Sequence, residues 1–241
     1  MGIGFNDANG DYLSAASLIA SPPISVSAWF YTDDSSINQR VFALYGTGSH
    51  MHECRLDGGA RTLSAISQSL SAVSATTGNL WTANTWHHGL WTFETARRTA
   101  TLDGGTTATN TDSRSPNVTS SGVGGPNQLL SGRVAELAVW NAYILGAPEW
   151  QTIKQGLAKG FSPPAVYPAN LIAWFRFING QLQDVIGRFI FTGNGSPFAA
   201  PHPRIWLKRG GRLVARPRSA SRIISLGGVA RVSDGRVVLA G

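Results

Sequence analysis

Between Ser131 and Trp150 the chain reads as a strand that runs through a turn into a short helix, and this order constrains the fold more than any other stretch. The strand is Ser-Gly-Arg-Val-Ala-Glu-Leu-Ala-Val-Trp-Asn, followed by Ile144-Leu145 and then Pro148-Glu149-Trp150. The helix is expected over Ala147 to Ala158, with Pro148 in its first turn, Glu149 favourable near its N-terminus and Gly160 as a stop. Trp150, Ile153 and Leu157 fall at i, i+3 and i+7, giving one apolar face that can lie across a sheet.

Elsewhere the chain is made of strand-length segments. They are Tyr12-Leu13, Ile24 to Tyr31, Arg40 to Tyr45, Met51 to Leu56 and Thr62 to Gln68, then Trp86 to Phe93, Arg98 to Leu102, Arg133 to Trp140, Leu171 to Ile178 and Arg188 to Thr192. Turn residues punctuate them, notably Asn9-Gly10, Asp57-Gly58-Gly59 and Asp103-Gly104-Gly105. Thr106 to Asn127, poor in large apolar residues, reads as a long surface loop or as two edge strands joined by one. Only 14% of residues are charged, against about a quarter in an average domain, while 42% are hydrophobic. That balance suits a β-sandwich with an aromatic core. Cys54 is the only cysteine, which excludes an intramolecular disulfide scaffold. No apolar run reaches the roughly 18 residues of a membrane span. The N-terminus lacks the regions of a signal peptide, so synthesis in the cytoplasm is expected.

The net charge of +7 is unevenly placed. From Arg204 onward there are nine Lys/Arg against Asp234 alone, which leaves 11 bases and 12 acids before it. The division expected is a body over residues 1–203 and a basic C-terminal arm over 204–241. Within the arm, Ile205 to Val214 turns at Gly210-Gly211, and Val229 to Leu239 reads as a hairpin with Asp234-Gly235 at a type I′ turn. Pro217 interrupts the linker between them. Two small hairpins bury too little surface to be stable alone, so the arm is expected to dock on another surface.

From about Gly4 to Ile205 the chain resembles the concanavalin A-like jelly roll of the laminin-G and pentraxin type. The resemblance is carried in order by Phe5 with Asn9-Gly10-Asp11-Tyr12-Leu13, Ile24-Ser-Val-Ser-Ala-Trp-Phe, Trp86-His87-His88 and Leu102-Asp-Gly-Gly. It continues through Gly132 to Trp140 with Leu145 and Glu149, and ends in Leu171-Ile-Ala-Trp-Phe. It implies an all-β, two-sheet antiparallel jelly-roll sandwich with one short helix, to which the basic, β-rich C-terminal arm is added. The closing segment, Pro201-His202-Pro203-Arg204-Ile205, is also similar to laminin-G-like structural proteins of tailed bacteriophages.

Glucanases on this fold place three carboxylates on one strand, with two about 5 Å apart when the mechanism retains configuration. No Glu-x-Asp-x-x-Glu pattern occurs here, and Arg133 to Trp140 offers only Glu136, so no catalytic residue is assigned. Calcium is the ion that the resemblance implies, and it needs six to eight oxygens. Asp7, Asn9 and Asp11 are the candidate ligands, with Asp33, Asp34, Asn110, Asp112 and Glu136 as further donors; an Asx-rich turn is the competing reading of the first three. His50, His52 and Cys54 alternate and would share one strand face, but a closed zinc site wants a fourth ligand. His88 matches the family's structural histidine, which implies a core hydrogen bond. Among the eight tryptophans, most read as core; Trp81, before a Thr-Ala-Asn turn, is the candidate sugar platform, and Trp206 an anchor for the arm.

The arm could contact phosphates or remain solvated. It lacks the interleaved aromatics of a nucleic-acid surface and is too rich in Ile, Val and Leu for a disordered end. The favoured reading makes Arg204, Trp206, Lys208, Arg209, Arg212, Arg216, Arg218 and Arg222 a docking set for a partner subunit or an acidic shell. Together these features lead to the expectation of a non-enzymatic virion protein, in capsid decoration or associated with the tail. Its partner would be a capsid or tail protein, with a homotrimer favoured, a glycan as a further ligand, and no nucleic acid or membrane. The alternative is a carbohydrate-binding adhesion module, with or without calcium.

Overall fold

A computed structural model describes residues 2–125, 128–209, 212–215, 231–233 and 236–238, with side chains described as far as Ile205. Two antiparallel sheets face each other as a jelly-roll sandwich. The first runs β10 (Thr107–Asn110), β9 (Arg97–Leu102), β8 (His87–Glu94), β3 (Ile24–Thr32), β12 (Gly132–Trp140), β1 (Gly2–Phe5) and β15 (Phe198–Ala200), and β13 (Leu171–Phe175) also pairs with β12. The second runs β14 (Thr192–Asn194), β2 (Tyr12–Ala16), β11 (Ser120–Val123), β4 (Gln39–Tyr45), β5 (Met51–Asp57), β6 (Thr62–Gln68) and β7 (Ala72–Thr76).

Alternation decides which side chains enter the sandwich. On β3, Ile24, Val26, Ala28 and Phe30 join the main core, where they meet Trp91 and Phe93 of β8 and Leu63 and Ala65 of β6. The outer face of the first sheet is apolar too, because a helix covers it. Helix α1 (Trp150–Ala158) packs Ile153 and Leu157 over Leu90, Ala138, Trp140 and Trp174. Trp150 does not complete that face: it stays half-buried, with the Lys154 ammonium 4.7 Å from its ring centroid. The helix also starts later than expected, so Pro148 lies before its N-cap, Glu149. A second short helix, α2 (Pro163–Val166), follows where only one was expected, with proline in its first turn. The α1 side chains also hold the turn after β9: Lys154 Nζ donates to the Gly105 carbonyl at 2.9 Å and Gln155 Nε2 to that of Gly104 at 2.6 Å. In that turn Asp103 and Gly104 both have positive φ, as a tight hairpin of the type I′ kind requires.

Strand β12 changes partners along its length. It pairs with β1 from Gly132 to Val134 and with β13 from Leu137 to Trp140, and its register with β3 shifts between Ala135 and Ala138. The shift is a bulge centred on Glu136, whose φ of 53° is unusual for a residue with a side chain. Other departures from expectation follow from backbone geometry. The strand expected to reach Ile178 stops at Phe175, because Phe177 and Asn179 are left-handed. Arg188 to Thr192 forms only an isolated bridge, Gln183 to Ile190, before β14. Within 106–127, β10 is an edge strand, but β11 lies inside its sheet between β2 and β4. In the arm, β16 (Trp206–Arg209) pairs with β17 (Arg212–Ala215), and β18 (Arg231–Ser233) with β19 (Arg236–Val238). The turn residues of both hairpins, and Arg216, Arg218 and Arg222, lie outside the described residues.

Candidate functional site

The sugar platform expected at Trp81 is corrected by its burial. Trp81 is 0% exposed, and its Nε1 donates to the Thr62 carbonyl at 3.0 Å, because the loop after β7 folds back over β6. Asp7, Asn9 and Asp11 lie in and after a 3-10 turn. Asp11 is buried and accepts from the Asn6 and Ser196 amides at 2.9 and 2.6 Å, tying the first turn to the segment after β14. Asp7 accepts from the Ala8 amide, and Asn9 is exposed. Among the described residues no three His, Cys, Asp or Glu side chains gather as a metal-holding group. His52 and Cys54 point into the core, where His52 Nδ1 lies 2.9 Å from Ser67 Oγ. His50 Nδ1, outside it, accepts from the Asn117 amide.

Burial depresses two imidazoles. His88, with Nε2 2.9 Å from Ser27 Oγ, is pushed down to about 4 by burial, against the pull of Asp103. His52 is pushed down to about 3, by burial first and then by Arg98. Both are therefore neutral in the fold, while the unfolded chain binds protons below about pH 6.5. Stability conferred by the neutral forms is complete above that pH and is lost as pH falls towards the folded values. Between about pH 7 and pH 5 the loss is on the order of 2 kcal/mol per histidine. Urea midpoints at the two pH values check this, and His88→Gln is expected to flatten the dependence. A midpoint that does not move would contradict neutral burial.

A second polar cluster surrounds the β12 bulge. Glu136 is 2% exposed, and its Oε2 accepts from Trp174 Nε1 at 2.7 Å. Its Oε1 lies 2.9 Å from His202 Nε2 and 3.6 Å from Arg176 Nε. The one carboxylate that this strand offers is thus buried, bonded to Trp174 and set against the segment that leads into the arm. Ile205 is 1% exposed, so packing of the body continues to that residue. The Arg204 carbonyl sits beside Gly160, just past α1.

A concave surface lies at one end of the sandwich, where the β2–β3, β6–β7, β8–β9 and β10–β11 connections meet. Two adjoining hollows share Thr95. The smaller, about 330 Å³, lies between Pro22-Pro23 and Glu94 to Arg97. The larger, about 410 Å³, lies between Ser69 to Ser71, Thr95 and Ser113 to Ser115. Leu70 stands at its lip, 98% exposed. Arg114 is fixed there by its backbone amide, which donates to the Thr95 carbonyl at 2.8 Å. Its Nε and Nη2 donate to Ser71 O and Oγ at 3.2 and 2.8 Å, and its Nη1 to Ser113 O at 2.6 Å. These residues come from three loops that are distant in sequence, and no local motif announces them. Arg97, in the smaller hollow, is paired with Glu94 and lies over the Tyr143 ring.

Residues 7–149 match a family model described as the concanavalin A-like lectin/glucanases superfamily. A putative carbohydrate binding protein from Bacteroides ovatus superposes with a TM-score of 0.59 at 15% identity, over 82% of this chain and 61% of that one. A heptameric SAP-like pentraxin from Limulus polyphemus gives 0.55 at 11% identity, over 82% and 93%. Domains LG4-5 of the mouse laminin alpha1 chain give 0.47 at 14%, over 57% and 40%. The chain thus spans less than two thirds of the laminin and Bacteroides structures. At these identities the Bacteroides and Limulus likenesses establish the fold alone. No curated protein matches by sequence.

Proposed function

Because the chain belongs to the concanavalin A-like lectin/glucanase superfamily, we propose that it is a non-enzymatic virion protein that displays a lectin-like jelly roll and attaches by its C-terminal arm. The observation that carries this reading is the change of charge from Arg204 onward and of strand pairing after Ile205. Nine of the 20 basic residues lie at or after Arg204, and the described arm strands pair only with each other. A basic element set apart from a nearly neutral body suits attachment to an acidic surface. The virion assignment draws on the similarity of the closing segment to laminin-G-like phage structural proteins. The non-enzymatic part draws on Glu136, which is buried, accepts from Trp174 and lies beside His202 and Arg176. Capsid and tail positions commonly carry threefold symmetry, which favours a trimer.

Co-sedimentation with purified particles of the source virus tests the reading. The full chain is expected to sediment with particles, and a chain ended after Ile205, which keeps its buried residue, is expected to stay in solution. Full retention of binding by the shortened chain would overturn the attachment role. A second reading, a carbohydrate-binding adhesion module, is favoured by the hollow beside Leu70 and Arg114. It is compatible with the first.

A further inference from the structure

We propose that the larger hollow binds an acidic saccharide, with the guanidinium of Arg114 holding its carboxylate. The proposal rests on the lectin-like reading of the body and is independent of the arm. An arginine carries five N–H donors. Three of those on Arg114 are taken by Ser71 O, Ser71 Oγ and Ser113 O, which leaves one on Nη1 and one on Nη2. Those two form the end-on fork that matches a carboxylate in a bidentate pair.

The fork is fixed in place before any ligand arrives. Thr95 holds the Arg114 backbone, and Ser71 and Ser113 hold its side chain, so little side-chain entropy is left to lose on binding. No carboxylate of the described residues lies within ion-pair distance of Arg114, whereas Arg97 next to it is paired with Glu94. A second cation lies within electrostatic reach of it. Arg98 is fully buried, donates to Asn110 Oδ1 and the Asp112 carbonyl, and leaves its Nε without a hydrogen-bond partner. Burial lowers the Arg98 pKa, Asp112 opposes this and Arg114 adds to it. A carboxylate in the hollow would relieve that repulsion.

The rest of the wall suits a sugar better than a bare anion. Ser69, Thr95 and Ser115 supply hydroxyls, and the exposed Leu70 supplies an apolar surface for the C–H face of a pyranose ring. A hollow of about 410 Å³ falls in the roughly 300–1,000 Å³ range of small-molecule sites.

The test uses the full chain and titrates digalacturonate against its neutral counterpart, digalactose, at physiological salt. Arg114→Ala is expected to weaken digalacturonate about 10- to 100-fold and leave digalactose within about twofold. Leu70→Glu, at an exposed position where folding is not at stake, is expected to weaken the acidic ligand likewise by repulsion. Every variant keeps the basic arm, so general attraction between arm and anion cancels in the comparison. If saccharides bind but neither variant discriminates, the site is overturned and the lectin-like reading stands. If neither saccharide binds the unaltered chain, both fall.

Discussion

Replacing Trp91 by alanine is expected to lower the free energy of unfolding by about 3–5 kcal/mol, a large part of the roughly 5–15 kcal/mol typical of a folded domain. Trp91 is 0% exposed near the centre of β8 and belongs to the main core, with its ring centroid 6.5 Å from that of Phe30. Its ring also fills the space over Gly89, where a Cβ would come within 2.1 Å of Cη2. On the Gly89 side, a void there has no side chain to fill it. The indole links the two sheets as well, because Nε1 donates to the Ser64 carbonyl on β6 at 3.1 Å. Trp91→Phe separates the two contributions: it keeps much of the packing and removes only the bond to that carbonyl, at about 0.5–1.5 kcal/mol. Urea unfolding of the two variants measures both. A loss below about 1 kcal/mol for alanine would mean that the sandwich repacks around the hole.

Removing the Glu136 carboxylate is expected to cost nearly as much, about 3–4 kcal/mol for Glu136→Ala. The buried Trp174 indole N–H would lose its acceptor, and Arg176, 22% exposed, would lose its counter-charge. Two comparisons show whether this cause is right. Glu136→Gly loses the same carboxylate but tolerates the φ of 53°, so it is expected to be about 1 kcal/mol less damaging than alanine. Adding Arg176→Met to Glu136→Ala removes the stranded charge and is expected to restore part of the stability. Hydrogen exchange over residues 200–205 is expected to rise in Glu136→Ala, because His202 Nε2 lies 2.9 Å from the carboxylate that is removed. Unchanged exchange in that segment would show that the carboxylate does not secure the root of the arm.

The sandwich was legible where one strand face had to be apolar over several turns of alternation, as in β3, β6 and β8. It was not legible where small residues serve close packing. Ser120 to Val123 reads as loop or edge, yet β11 is interior: a Cβ on Gly122 would lie 2.9 Å from the Leu13 carbonyl and 3.1 Å from the Tyr45 ring. Its lack of bulk is a packing requirement. Trp81 reads as exposed because turn residues lie beside it, whereas its burial comes from a return to Thr62 that no local pattern encodes. Glu136 stood out in the sequence as a lone carboxylate, but its bulge depends on β1 handing over to β13, two strands far apart in the chain. The Arg114 hollow draws on residues 69–71, 95 and 113–115, so only the closed sandwich assembles it.

The grip of α1 on the Gly104-Gly105 turn sets the polarity of the whole body. Arg97 begins β9 at the rim with Thr95, and Leu102 ends it at the turn that Lys154 and Gln155 hold. At roughly 3.3 Å per residue, the six residues of that strand set the two ends about 20 Å apart. The arm departs beyond Gly160, past the α1 terminus, and so starts from the far end. Copies tethered side by side through their arms would hold their hollows in a common plane, facing away from the tether. Weak contacts at each would then add as avidity towards a repetitive surface, which a single free copy could not grip.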